Sequence, residues 1–432
     1  MSAAAPSAEK APPPSAALHA PPSAGAAFAQ RRSFVLILAA LSMLGPFSID
    51  TFLPSLIELQ SALHTSALEA QQALSAYLLG FAVMSLWHGA ISDALGRRPV
   101  VIASLFVYLA AAAACTFAPT IQVLIAARLV QGLAGGAGMI VARAIIRDCF
   151  EGVRALQLMA TMMQIFSIAP AIAPIIGGYL QRAHGWRSVF AFMLIGAAVL
   201  LVWIWRALPE TLPPEARHSL HPVVLAKSYW RVFTRLEFQL LAGLLGISFS
   251  SLFLYISASP VLMIRHLHMR TTDFAALFLP VIGGMVLGSM TASRLAGKVA
   301  QHKLMNSGFA LLGAGVVINL ALQYTVVPGT PPGFWLTFYC IAPLALCAYG
   351  QAVLGPSAQM MVMDLYPAQR GLMSSCQGAT HLMVSTVTAG IVAPLVADTT
   401  QELALASSAF FGVALVLWLT YLAVHARRGA GT

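Results

Sequence analysis

Charge is what this sequence has least of. Only 9% of its 432 residues are Asp, Glu, Lys or Arg, and 59% are apolar. A soluble domain carries about 25% charged residues. The shortage excludes an ordinary water-soluble enzyme. Also missing are the short alternating segments of a membrane barrel: the apolar runs are long and continuous, so the chain reads as an all-α integral membrane protein. Cysteine is scarce and unpatterned. Cys115, Cys149, Cys340, Cys347 and Cys376 fall in or beside apolar runs without metal or redox spacing, and read as packing residues. There is no G-x-x-x-x-G-K-[ST], no H-E-x-x-H and no G-x-S-x-G. No cofactor and no metal are therefore expected, an enzyme is disfavoured, and nucleotide-driven pumping would need another subunit.

What is present is a series of apolar runs of about 20 residues, the length that spans a bilayer. Twelve are expected, near 34–57, 72–92, 99–118, 120–143, 155–180, 188–208, 238–262, 274–297, 305–326, 334–362, 371–397 and 402–425. The net charge of +10 suggests nucleic acid only in a soluble protein. Here Arg31, Arg32, Arg97, Arg98, Arg143, Arg147, Arg154, Arg294, Lys298, Lys303, Arg370, Arg427 and Arg428 collect in alternate loops, which puts those loops and both termini in the cytoplasm. No nucleic-acid partner is expected; membrane lipid is. The organisation follows: a disordered Ala/Pro/Ser-rich cytoplasmic tail at 1–32, without a signal-peptide cleavage site, a six-helix half at 33–208, a cytoplasmic linker at 209–237, a second six-helix half at 238–426, and a cytoplasmic tail at 427–432. Two such halves with a midplane site suit a rocking transporter. Phe249-Ser250-Ser251 echoes Phe47-Ser48-Ile49, with Leu252 where Asp50 would stand.

Asp50 is the only acid in the first run, and an intramembrane carboxylate is a functional-site hypothesis by default. Pro54, four residues on, has no N–H for the Asp50 carbonyl, so the helix should bend where the charge sits. Arg128 lies about eight residues into the fourth run. At about 1.5 Å per residue, both groups fall about 5–7 Å to the outer side of the midplane. They are placed to pair or to share a wet cavity. Pro170 and Pro174 with Gly177 and Gly178 should bend the fifth span and admit a close neighbour.

Gly89-Ala90-Ile91-Ser92-Asp93-Ala94-Leu95-Gly96-Arg97-Arg98 joins spans 2 and 3. This stretch resembles the cytoplasmic signature of the major facilitator superfamily. Arg128-Leu129-Val130-Gln131-Gly132 is similar to the superfamily's span-4 signature. The Pro/Gly run of span 5 resembles that of its proton-coupled exporters, with Ala173 where glycine is usual. Asp50-Thr51-Phe52-Leu53-Pro54, Arg143-Ala144-Ile145-Ile146-Arg147-Asp148, Gly185-Trp186-Arg187 and Pro209-Glu210-Thr211-Leu212 resemble segments of its drug:proton antiporters, and in particular the bicyclomycin and chloramphenicol resistance (Bcr/CflA) subfamily.

The resemblance implies a proton-coupled exporter of small drugs in the bacterial inner membrane, working as a monomer. A metabolite exporter or a symporter of the same superfamily is the alternative. Asp50 would exchange a proton for substrate and Arg128 would tune it. Gly89, Asp93, Gly96, Arg97, Arg98, Arg143, Arg147 and Asp148 would form a cytoplasmic latch. Tyr77, Gln131, Tyr255 and His381 are cavity candidates, as are Gln164, Asn319 and Gln359, although each also suits helix bridging. His381 fits a proton relay or a packed histidine. Asp364 with Arg370 fits a charged hinge or a solvated helix end.

Overall fold

The computed structural model describes residues 33–217 and 219–429. The expected tail at 1–32 lies outside them, as do residues 430–432. Among the described residues all regular structure is helical. Eleven helical stretches among the described residues are long and apolar enough to cross a membrane. The remaining expected span, 155–180, falls within one continuous helix, Gly152–His184.

The first crossing is built in three pieces. α1 (Ser33–Asp50) stops at the acid, a 3-10 turn covers Leu53–Ser55, and α2 (Leu56–Ala62) follows. With no N–H on Pro54, the Ser55 N–H reaches back only three residues, to the Phe52 carbonyl at 3.0 Å. α3 (Ala67–Leu95) opens on a capping box in which the Ser66 hydroxyl accepts from the Glu69 N–H and the Glu69 carboxylate accepts from the Ser66 N–H. It ends at Gly96, whose φ of +101° belongs to glycine, and α4 (Arg97–Thr116) starts at once. The fourth crossing is interrupted at Gly136, giving α5 (Ile121–Gly135) and α6 (Ala137–Cys149). α7 (Gly152–His184) carries Pro170 and Pro174 inside it, and α8 (Arg187–Ala207) ends this half.

The expected linker contains a helix, α9 (Pro222–Phe233), tied to α3 where the Tyr229 hydroxyl donates to the Leu86 carbonyl. The second half runs through α10 (Leu236–Ser257), α11 (Ala275–Leu295), α12 (Gln301–Thr325), α13 (Phe334–Asp364), α14 (Arg370–Val387), α15 (Ala393–Val396) and α16 (Thr400–Gly429). Single π-helical segments at Val261–His266 and Thr388–Val392 continue the lines of α10 and α14.

Helices in lipid associate by close packing, which favours small residues at the contact. A Cβ on Gly80 would lie 2.7 Å from the Leu133 nitrogen, and one on Gly132 would strike the Tyr77 carbonyl. α3 and α5 thus touch backbone to backbone. α12 and α13 repeat the device, with Gly308 against Leu354 and Gly350 against Leu312. Gly177 brings α7 onto the Thr51 carbonyl beside the break in the first crossing. Gly89 does no such work, since a Cβ there would meet only the Ile140 side chain at 3.9 Å.

Candidate functional site

Three helices bring Asp50 and Arg128 to one level. Arg128 on α5 is fully buried, and its guanidinium is met on every side. Its Nη2 donates to the Ser48 carbonyl of α1 at 3.0 Å, its Nη1 to Gln131 Oε1 at 2.7 Å, and its Nε to the Ala73 carbonyl of α3 at 3.3 Å. Aromatic faces complete the shell, with the guanidinium carbon 4.4 Å from the Tyr77 ring centre, 4.9 Å from Phe52 and 5.7 Å from Phe190. A cation against a ring face is stabilised by the ring quadrupole, more so away from water. Of the cavity candidates, Tyr77 and Gln131 therefore belong to the shell of Arg128. Tyr77 also directs its hydroxyl to the Gly45 carbonyl at 3.4 Å.

Asp50 is 6% exposed at the end of α1, two residues from the carbonyl that Arg128 grips. Among the described residues no hydrogen bond or ion pair reaches its carboxyl. Arg128 thus engages α1 through the backbone and not through the acid. Ser48, a turn-mate of Asp50, shares a 2.5 Å hydrogen bond with the Tyr108 hydroxyl of α4. Nothing in the sequence marks this pair, because a serine and a tyrosine in apolar runs carry no charge.

The loop signature forms a compact ionic knot. Arg97 donates to Asp148 at 2.8 Å and to Asp93 and Ser92. Glu210 completes it, accepting the Arg97 and Arg98 N–H groups at 2.9 and 3.2 Å at the start of α4 and those of Thr211 and Leu212 as well. A carboxylate on the first N–H groups of a helix suits the helix dipole. In the sequence, Glu210 is marked only by the resemblance of its segment and by its position just after a span. The knot joins α3, α4, α6 and the end of α8, all in the first half. Arg98 turns instead to the Trp205 carbonyl at 2.8 Å. Arg143 and Arg147 stand apart from it. Arg143 donates to the Met139 carbonyl at 3.3 Å, and neither pairs with a carboxylate among the described residues.

Among the described residues the hydrogen bonds between the halves gather at one end. Gln72 Nε2 donates to the Gly390 carbonyl at 2.6 Å, the Ser75 hydroxyl to the Thr386 carbonyl at 3.1 Å, and Gln71 Nε2 to the Ser257 carbonyl at 3.2 Å. Gly178 of α7 lies against the Thr271 carbonyl, leaving no room for a side chain. At the opposite, arginine-rich end the halves part around a cavity of about 350 Å³, lined by Phe81 and Ser85 of α3, Arg143 and Arg147 of α6, and Arg370 and Ser374 of α14. A larger groove of about 870 Å³ lies between α11 and α13 and shares no residue with α1, α3 or α5.

The second half holds its candidates elsewhere. The Tyr255 hydroxyl accepts from Asn319 at 2.6 Å, beside Gln323, within that half. The His381 ring packs at 4.6 Å against Phe249, and among the described residues no hydrogen bond reaches it. Arg370 pairs with Asp364 at 3.0 Å. The Gln164 side chain lies outside what is described.

A bundle of this length, with a buried acid and arginine in one half and a cavity between two halves, is the architecture of a membrane carrier. The model of the Major Facilitator Superfamily matches residues 35–344, and the chain belongs to that family of transporters. It is 26% identical to the bicyclomycin resistance protein homolog of Haemophilus influenzae over 85% of this chain and 90% of that one. It is 27% identical to multidrug resistance protein D of Escherichia coli over 84% of this chain and 89% of that one. Among solved structures, a POT family transporter in complex with 5-aminolevulinic acid aligns with a TM-score of 0.70 at 14% identity, covering 90% of this chain and 96% of that one.

Proposed function

We propose that this transporter is a proton-driven exporter of small organic molecules, drugs among them, in the bacterial inner membrane, with its arginine-rich end and both termini in the cytoplasm, acting as a monomer. The observation that carries this is the Asp50 carboxyl: buried at the break that ends α1 and, among the described residues, without a hydrogen-bond or ionic partner. A carboxyl locked to an arginine would hold its charge; a solitary one can take up and release a proton. Because Arg128 has its own acceptors, protonating Asp50 strands no cation. The names of the relatives, bicyclomycin and multidrug resistance, support drug export. The arrangement of the halves, closed at one end and parted at the arginine-rich end, supports a cytoplasm-facing state.

The cycle then runs as follows. Substrate enters the cavity between the halves and reaches ionised Asp50. The halves rock, the far end opens, and a proton arriving from outside displaces the substrate. In everted membrane vesicles, Asp50→Asn should abolish export driven by a pH gradient while leaving the protein inserted. Gradient-driven export that survives this change would sink the coupling role. Movement of substrate in the same direction as the proton would favour a symporter instead.

A further inference from the structure

The groove of about 870 Å³ between α11 and α13 plays no part in the export cycle. Its floor is set where the two helices touch: a Cβ on Gly284 would strike the Ala345 carbonyl, and one on Gly288 the Tyr349 carbonyl. From Ala345 the groove runs to Gly333, just ahead of α13. Those twelve residues (345 − 333) at about 1.5 Å each make about 18 Å, close to the depth of one leaflet, about 15 Å. The walls are apolar, from Ala276 and Pro280 on one side to Phe338, Ile341 and Ala342 on the other. Trp335, exposed beside the mouth, is a residue type that sits at headgroup level. The mouth lies at the sealed end, since Thr271 of the same loop offers the carbonyl on which Gly178 packs.

That mouth is polar and preset. The Leu267 N–H reaches the Leu262 carbonyl at 2.9 Å and the Met269 N–H the Met263 carbonyl at 2.8 Å, which holds His268 between them at a φ of +54°. Asp273 accepts from Arg270 through Nε at 3.2 Å and Nη2 at 3.4 Å. Among the described residues, Nη1 of Arg270 and the His268 ring are left without a partner, and both residues are exposed at the groove. Free donors suit an anion with no donor of its own, and a guanidinium matches phosphate oxygens well. The groove shares no residue with the helices around Asp50, which argues against a transported drug as its occupant. We propose that it holds one phospholipid of the leaflet at the sealed end, with the phosphodiester on Arg270 and His268 and an acyl chain between α11 and α13. Basic residues over a gap between helices recognise lipid headgroups in this way.

Native mass spectrometry of the purified full-length protein, stripped of lipid in detergent, tests this. The probes are dioleoylphosphatidylglycerol, dioleoylglycerol (the same chains without phosphate) and glycerol phosphate (the phosphate without chains). One phospholipid should bind at least about tenfold more tightly than dioleoylglycerol, and glycerol phosphate should not displace it. H268Q/R270Q should bring the phospholipid to within about threefold of dioleoylglycerol, while R270K, which keeps the charge, should not. A342F, which fills the groove, should weaken both lipids by at least about tenfold. If A342F does not fold, the exposed-loop variant H268Q/R270Q decides. The proposal is overturned if dioleoylglycerol binds the wild type as tightly as the phospholipid, or if H268Q/R270Q leaves the phospholipid's advantage intact. It is overturned equally if chloramphenicol displaces the phospholipid, which would make the groove a drug port, or if the spectra show a dimer that A342F splits.

Discussion

Arg128 shows how a cation is kept deep in a membrane protein without an acid. Three oxygen acceptors and three aromatic faces surround it. That shell needs donors spread over a planar fork, and a lysine carries its three donors on one compact nitrogen. Arg128→Lys keeps the charge and loses the fit. Hydrogen bonds to charged groups contribute about 1.5–3 kcal/mol each, so losing two should destabilise the first half by about 3 kcal/mol. Thermal unfolding in detergent should show a fall of several degrees, and export should drop by at least about tenfold. Asp50 and Arg128 stood out in the sequence because charge is rare in an apolar run. Their separation did not, since a guanidinium at the right depth is equally able to take a carboxylate or a main-chain carbonyl. Rotamers and backbone carbonyls settle that choice, and neither is written in residue types.

At the scale of the helix, proline and glycine decide where crossings break and where they touch. Pro54 was legible as a break because its missing N–H has a fixed consequence four residues earlier. The interruption at Gly136 and the π-helical segments at Val261–His266 and Thr388–Val392 were not, because no single residue type dictates them. The contact between α3 and α5 is a sharper case. A methyl group added at Gly80 would sit 2.7 Å from the Leu133 nitrogen, which belongs to rigid backbone. Gly80→Ala should therefore push the helices apart, a cost of about 1–3 kcal/mol for overpacking, with lower yield and a lower unfolding temperature. Gly89→Ala, where the nearest atom is 3.9 Å away, is the control and should leave both unchanged. Glu210 at the start of α4 gives a further test. Glu210→Gln keeps the shape and removes the charge from four N–H groups, which should cost about 1 kcal/mol. A double-mutant comparison with Asp148→Asn reads how far the knot acts as one unit.

Over the whole molecule, the twelve-crossing plan followed from hydropathy, whereas the seal between the halves did not. Gln71, Gln72 and Ser75 form a polar patch at the start of α3, and that was the one sequence trace of it. Their partners are the carbonyls of Ser257, Gly390 and Thr386, which any residue would present. Removing one neutral hydrogen bond shifts an equilibrium by about 1 kcal/mol, or roughly fivefold. Gln72→Ala should raise the population opened at that end by this factor, read as a longer spin-label distance between the two halves there. An unchanged distance distribution would count against the seal. The lopsided chemistry of this contact also constrains how the protein can adapt. Donor side chains can be altered by a point mutation, whereas main-chain acceptors cannot. If bacteria carrying this gene were passaged under a drug to obtain faster pumping, the substitutions that loosen the seal should accumulate at positions 71, 72 and 75, and at Gly390, where a Cβ would strike Ser75, and spare 257 and 386.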